Sequence, residues 1–259
     1  MITRGSYYFE DFTETEYRML IRMAKENWTL TPYDRCKDSG RICLWRHDID
    51  FSIHRAYRMA VIEREEGIRS TYFIHLHSFF YNPLENELAE KVYQIISLGH
   101  DIGLHFDIAF YHNILRTRGL DVSLDCLLPF LTLERELIEK TFMCPVRSFS
   151  LHNPDFHAVS WIDDDVVCGM INTYSLYLRE HFAYVSDSNG YWRFQRLKEV
   201  LQNGSDEKLH VLTHPGWWTP EVMIPRERIT RCINGRAAKQ HQLYDALLTK
   251  HGRKNIREA

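Results

Sequence analysis

No stretch of the 259 residues approaches the ~18 consecutive apolar residues of a membrane-spanning helix, which excludes an integral membrane protein of the helical kind. The N-terminus, MITRGSYYFEDF, has acidic residues where a secretory signal would place its apolar stretch, so the expected location is the cytoplasm. CxxC pairs are missing too. The six cysteines (Cys36, Cys43, Cys126, Cys144, Cys168, Cys232) follow no regular spacing, which argues against a disulfide framework and for reduced, structural thiols. With 32 Lys+Arg against 35 Asp+Glu, the chain has no excess of positive charge, and no basic stripe marks it as a nucleic-acid binder. Repeats, linkers and low-complexity tracts are also absent, so residues 1–259 are expected to form a single domain, with residues 1–40 as an N-terminal helical extension.

What is present is a globular balance, 44% hydrophobic and 26% charged, that can bury a sizeable core. Short apolar runs alternate with amphipathic stretches, the pattern of parallel β/α units. The run Ile42–Arg46 precedes a helix capped by Ser52, whose Ala56, Tyr57, Ala60 and Ile62 share a face before Gly67 stops it. Ser70–Leu76 repeats the strand, Leu84 to Ile96 the helix, and Gly99 the stop before Asp101–His105. Further strands are expected at Val146–Ser150, Val166–Thr173, Phe182–Ser186 and Leu209–Thr213. Helices are expected at Cys126–Phe142, Arg196–Gln202 and Arg226–Leu248. Pro129 disturbs the start of the first of these. One more helix, Glu14–Asn27, is expected to pack over the bottom or edge of the fold. The count suits an α/β fold, a distorted (β/α) barrel of about seven parallel strands.

The residues able to do chemistry sit at strand ends. Asp48 and Asp50 follow the first strand, His105 ends the third, His152 follows the fourth, and Asp187 and His214 follow later ones. In parallel barrels the pocket lies at the carboxyl ends of strands, so these residues should share one mouth. Asp48 and Asp50 can both face one way if the strand continues; as a pair alone they equally suit capping of the next helix. GHDIGLHFD adds His105 and Asp107, with His100 just upstream, and carboxylate with imidazole is a donor set for a borderline divalent ion. SLHNP and LTHPGWW each set a histidine beside a proline that stiffens the loop. His75 and His77 in IHLHS are assigned to packing, and Trp217 and Trp218 suit either a sugar face or the core.

Taken in order, RHDID, GHDIGLH, SLHNP, SDSNGYW and LTHPGWW resemble the motifs of the NodB-homology polysaccharide deacetylases, carbohydrate esterase family four, over roughly residues 41–220. The opening is most similar to a subgroup with R-H-D-x-D, often associated with bacterial surface-polysaccharide synthesis. The resemblance implies a distorted barrel holding one divalent ion, commonly zinc, and hydrolysis of an N- or O-acetyl group. It makes Asp48 the general base, Asp50 and His105 metal ligands, His214 the general acid and Asp187 the residue that orients it.

Two positions depart from that pattern. The family's second motif has another histidine four residues after the first, and here that position is Ala109, which cannot bind a metal. His152 is the expected substitute, with Asp107 as its rival. The family's third motif also has an arginine that steadies the base; here Arg46 or Arg147 would have to serve. The implied substrate is an N-acetylated saccharide, and the cytosolic expectation points to a biosynthetic precursor rather than finished polymer. The alternatives are a saccharide-binding pseudoenzyme that has lost productive metal binding, and a metal-dependent hydrolase of a non-sugar amide.

Overall fold

The computed structural model describes residues 7–120, 124–153 and 163–256. Pro154, expected to stiffen the loop after His152, lies outside them. In chain order the elements are α1 (Glu14–Asn27), β1 (Thr29–Leu30), β2 (Ile42–Ile49), α2 (Ile53–Glu65), β3 (Thr71–Ile74), α3 (Asn86–Ser97), β4 (Asp101–Phe106), α4 (Ile108–Thr117), α5 (Leu128–Phe142) and β5 (Ser148–Leu151). The chain continues through β6 (Val166–Val167), β7 (Met170–Asn172), α6 (Leu176–His181), β8 (Ala183–Ser188), β9 (Tyr191–Trp192), α7 (Leu197–Asn203), β10 (Lys208–Thr213) and α8 (Pro225–Lys250). Among the described residues no helix is long and apolar enough to cross a membrane.

One sheet organises the fold, in the order β6-β7-β5-β4-β3-β2-β10-β8-β9, with β1 paired to β2. Its seven strands from β7 to β8 run parallel, and the short outermost strands β6 and β9 are antiparallel to their neighbours. Chain order follows the sheet from β2 to β7 and returns on β2's other side through β8 and β10, the order of a barrel opened between β7 and β8. The curvature can be read from one side chain. Arg46 on β2 hydrogen-bonds Thr173, just past β7. Four strand spacings separate β2 from β7, about 19 Å in a flat sheet, which no arginine can span; the sheet must curl.

Helices pack on the outside. Ser52 accepts a hydrogen bond from the Arg55 N–H at 3.2 Å and starts α2 as its position in the sequence suggests. Pro129 falls in the first turn of α5, where its missing N–H is no loss. Two apolar clusters lie between sheet and helices, one centred on Tyr72, Leu104, Phe106 and Phe149, the other on Tyr17, Val185, Val211 and Trp218. A third, with Leu44, Phe73, Tyr33 and Phe182, forms the barrel floor. Gly103 is required there because a Cβ would lie 2.4 Å from the Phe73 ring.

Three expectations need adjustment, and one helix was not foreseen. Helix α1, expected over the bottom or edge, lies in the outer layer against α7 and α2, where Tyr17 meets Trp45, His47 and Trp218. The run Val166–Thr173 is not one strand but the hairpin β6–β7, turning at Cys168 and Gly169 with φ of 48° and 74°. The Arg135 guanidinium of α5 donates to the Cys168 carbonyl and holds that turn. Strand β2 runs on through Ile49, so Asp48 lies within it. Helix α4 was not expected, although Asp107 caps it by accepting from the Phe110 N–H at 3.2 Å and Ile108, Tyr111 and Leu115 form its buried stripe.

Candidate active site

Strand β2 is buried on both faces, and its alternation sends Leu44, Arg46 and Asp48 inward while Cys43, Trp45 and His47 join the outer layer. The inward row therefore rises from an apolar floor through a guanidinium to a carboxylate. Asp50, the next residue in that period, lies at the mouth with 29% of its side chain exposed. A cavity of about 510 Å³ opens there, and Asp48, Asp50, His105, His152, Asp187 and His214 all line it.

Asp50, His105 and His152 come together from the carboxyl ends of three strands, β2, β4 and β5. The His105 Nε2 lies 3.3 Å from Asp50 Oδ1 and 3.2 Å from His152 Nδ1, and the third side of the triangle is 3.7 Å. Bonds of ~2.0–2.1 Å to a tetrahedral zinc place ligand atoms about 3.3 Å apart, so these three atoms fit one ion. Among the described residues the buried Asp50 Oδ1 has no hydrogen-bond partner, as a donor atom reserved for a cation would not. Burial pushes the Asp50 carboxyl up, but His214, His105 and His152 around it outweigh this and hold it well below the usual carboxylate range. Conversely, His152 loses basicity to burial and regains more from Asp50, which raises it. The buried His105 Nδ1 lies 2.7 Å from the Ser150 Oγ, whose hydroxyl donates to Asp48 Oδ1 at 3.2 Å. The serine therefore accepts the His105 N–H, which leaves the Nε2 lone pair facing Asp50.

Asp48 is 1% exposed. Arg46, fully buried, donates to it at 3.4 Å and to the Tyr174 hydroxyl at 3.0 Å. Arg147 instead points outward, 3.8 Å from Asp101, so of the two candidate arginines only Arg46 reaches the carboxylate.

On the opposite wall, Asp187 is completely buried and hydrogen-bonds the His214 Nδ1. The same carboxylate accepts the His214 backbone N–H at 3.0 Å and the Trp218 indole N–H at 3.1 Å, so the acceptor that orients the ring is itself fixed. Its Nε2 faces Asp50 Oδ2 at 3.8 Å. Burial lowers His214, but Asp187, Asp50 and Asp48 outweigh it and push it up to about 9. Without a bound cation this favours the protonated form of the ring at neutral pH, which can donate from Nε2.

The remaining expectations divide. Asp107 caps α4 and faces His75 Nε2 at 3.4 Å, apart from the Asp50 triangle. His100 lies on the outer face near Glu63. Trp217 and Trp218 are buried in the core and offer no sugar face. His77 joins Glu134 at 2.7 Å as packing would have it. His75, assigned to packing as well, stacks on His152 at 4.4 Å between centroids. The signal was present: His75 is the first residue past β3, a strand-end histidine like the others. Sequence reasoning also missed Ser150, Phe194, which lines the cavity at 65% exposure, and its neighbour Arg193.

No protein-family model matches the sequence, and no curated protein matches it. Among solved structures the chain is similar to a mutant of BA3943, described as a CE4 family pseudoenzyme with restored enzymatic activity (11% identity, TM-score 0.40). That likeness covers 76% of this chain and 64% of the other, so the chain spans less than two thirds of its length. It is also similar to the Streptococcus pyogenes deacetylase PplD in complex with acetate, at 9% identity and a TM-score of 0.41, over 84% of this chain and 85% of that one.

Proposed function

We propose that the chain is a metal-dependent hydrolase that removes the acetyl group of an N-acetylated sugar, with a surface-polysaccharide precursor in the cytoplasm as the natural substrate. The observation that supports it is a single cavity in which an Asp–His–His triangle with ligand spacing, a buried carboxylate and a carboxylate-held imidazole face one another.

Asp50, His105 and His152 would hold one divalent ion, zinc by donor type. When bound, such an ion polarises the acetyl carbonyl and makes a coordinated water acidic. Asp48 takes a proton from the attacking water, its position fixed by Arg46 and Ser150. His214 delivers a proton from Nε2 to the departing nitrogen, and Asp187 on Nδ1 keeps the ring in that orientation and stabilises its charge. Water thus adds across the C–N bond, giving acetate and the free amino sugar. Tyr174 and Tyr184 on the cavity wall and Phe194 at its rim supply aromatic surface against which a sugar can lie.

The test is acetate release from a panel of N-acetylated saccharides and acetylated amines, before and after chelation and with zinc restored. Release that favours a saccharide, stops on chelation and returns with zinc supports the reading. Saccharide binding without acetate release would make the chain a binding protein, preference for a simple amine would move the substrate away from sugars, and full turnover in metal-free protein would end the mechanism.

A further inference from the structure

Behind His152 lie two further donors, His75 and Asp107, that the reaction above does not use. His75, Asp107 and His152 each offer a ligand atom, and the three lie within 4.8 Å of one another. His75 is 97% buried in the sense that only 3% of it is exposed, and among the described residues neither of its ring nitrogens makes a hydrogen bond. Buried polar atoms are almost always paired, and a residue serving only as filler would carry an apolar side chain. The nearest acceptor, Asp107 Oδ2, is 3.4 Å from Nε2, too far for a good hydrogen bond but close to the ~3.3 Å that separates two ligands of one tetrahedral ion.

The surroundings prepare this arrangement. The other Asp107 oxygen is engaged by the Phe110 N–H at the start of α4, which turns Oδ2 toward His75. The Tyr81 hydroxyl accepts the His75 backbone N–H at 3.0 Å and donates to the Ile49 carbonyl at 2.6 Å, so His75 is tied to the residue preceding Asp50. Asp107 comes from the end of β4, His75 from the end of β3 and His152 from the end of β5, three adjacent strands.

We propose that His75, Asp107 and His152 form a second position for a zinc-like divalent cation, an alternative to the Asp50–His105 position because the neutral His152 imidazole offers one lone pair to one cation at a time. Two imidazoles and a carboxylate suit zinc or cobalt better than calcium or magnesium. Neither His75 nor Asp107 lines the 510 Å³ cavity, so this position touches the cavity only through His152. The inference depends on the proposed function only through the shared His152.

The experiment titrates metal-free full-length protein with Zn(II), and with Co(II) followed by its visible spectrum, with circular dichroism and melting to check each variant's fold. Asp50→Asn with His105→Ala removes two donors of the first position and none of the three here; this variant should still bind about one equivalent. Adding His75→Gln should weaken that binding at least tenfold, as should adding Asp107→Asn, which leaves the α4 cap intact because asparagine caps as well as aspartate. If the folded Asp50→Asn/His105→Ala protein binds neither metal while His75→Gln/Asp107→Asn binds as the parent does, the second position falls and the first stands. If Asp50→Asn/His105→Ala binds as the parent does, and His75→Gln/Asp107→Asn does not, the first falls and the second stands. Binding that His75→Gln leaves unchanged in the doubly substituted background also overturns the proposal.

Discussion

Ser150→Ala removes one oxygen atom from the centre of the site and tests how the donors are held. That hydroxyl accepts from His105 Nδ1 at 2.7 Å and donates to Asp48 Oδ1 at 3.2 Å, among side chains that are 2% and 1% exposed. Without it, the nearest acceptor to Nδ1 among the described residues is Asp48 Oδ2 at 3.7 Å, beyond hydrogen-bonding distance. Leaving a buried donor unsatisfied costs about 1–3 kcal/mol. The imidazole avoids that cost by shifting its proton to Nε2, the atom that must stay bare to bind a cation, so the cost reappears as lost affinity. At 1.4 kcal/mol per factor of ten, the zinc Kd should rise about 5- to 150-fold, which spans the roughly 10- to 100-fold seen when the hydrogen-bond partner of a metal-bound histidine is removed. Competition against a chromophoric chelator measures it, with thermal melting as the control for fold. The small cavity left by one oxygen should change the melting point little. An unchanged Kd in the folded variant would refute both the tautomer assignment and the role of His105 as a ligand.

Asp48→Asn and His214→Ala should each lower acetate release about 10²- to 10⁴-fold while zinc content stays at the parent level, measured by steady-state assay and elemental analysis. In metal-free protein His214 sits at about 9, raised above its ordinary 6.5. Its contribution to stability, about 3 kcal/mol, is therefore fully present below pH 6.5 and lost as pH rises through about 9. Denaturant unfolding between pH 6 and 10 should show that loss, and Asp187→Asn should flatten it. Glu63 is completely buried, so burial raises its carboxyl, but His47, His100 and the Tyr17 hydroxyl outweigh this and hold it at about 2. Its stabilisation, about 3 kcal/mol, is present above pH 4.5 and lost as pH falls through about 2, and Glu63→Gln should abolish that part of the acid-unfolding profile. Arg46→Ala leaves the buried Asp48 without its cationic partner and should destabilise the fold by about 3–5 kcal/mol in urea; a loss under 1 kcal/mol would mean that solvent reaches Asp48.

Local pattern was enough to read much of this protein. Ser52 as a cap, the period of α2 and α3, and seven apolar runs separated by amphipathic stretches are short-range signals, decided by residues within a few positions of one another. That Asp50, His105, His152 and His214 fall at strand ends was legible for the same reason, since parallel β/α connectivity sends every such end to one side, whereas Asp48 and Asp187 lie just inside β2 and β8. The hairpin at Cys168–Gly169 was not, because a cysteine at positive φ follows no composition rule; the turn is held by Arg135, distant in sequence.

Which partner each side chain meets was decided by tertiary structure alone. Arg46 and Arg147 are both candidates in the sequence, and only the curl of the sheet turns one toward Asp48 and the other toward solvent. His75 and His77 lie two residues apart in one short motif, yet one stacks on His152 and the other pairs with Glu134 of α5. Asp107 and His152 compete on paper for one cation, and the distances set His152 beside Asp50 and Asp107 beside His75. A sequence determines periodicity and the order of strand ends through local forces. The few ångströms that decide whether two donors can share an ion arise from how seven strands curve and stagger together, a property of the whole sheet.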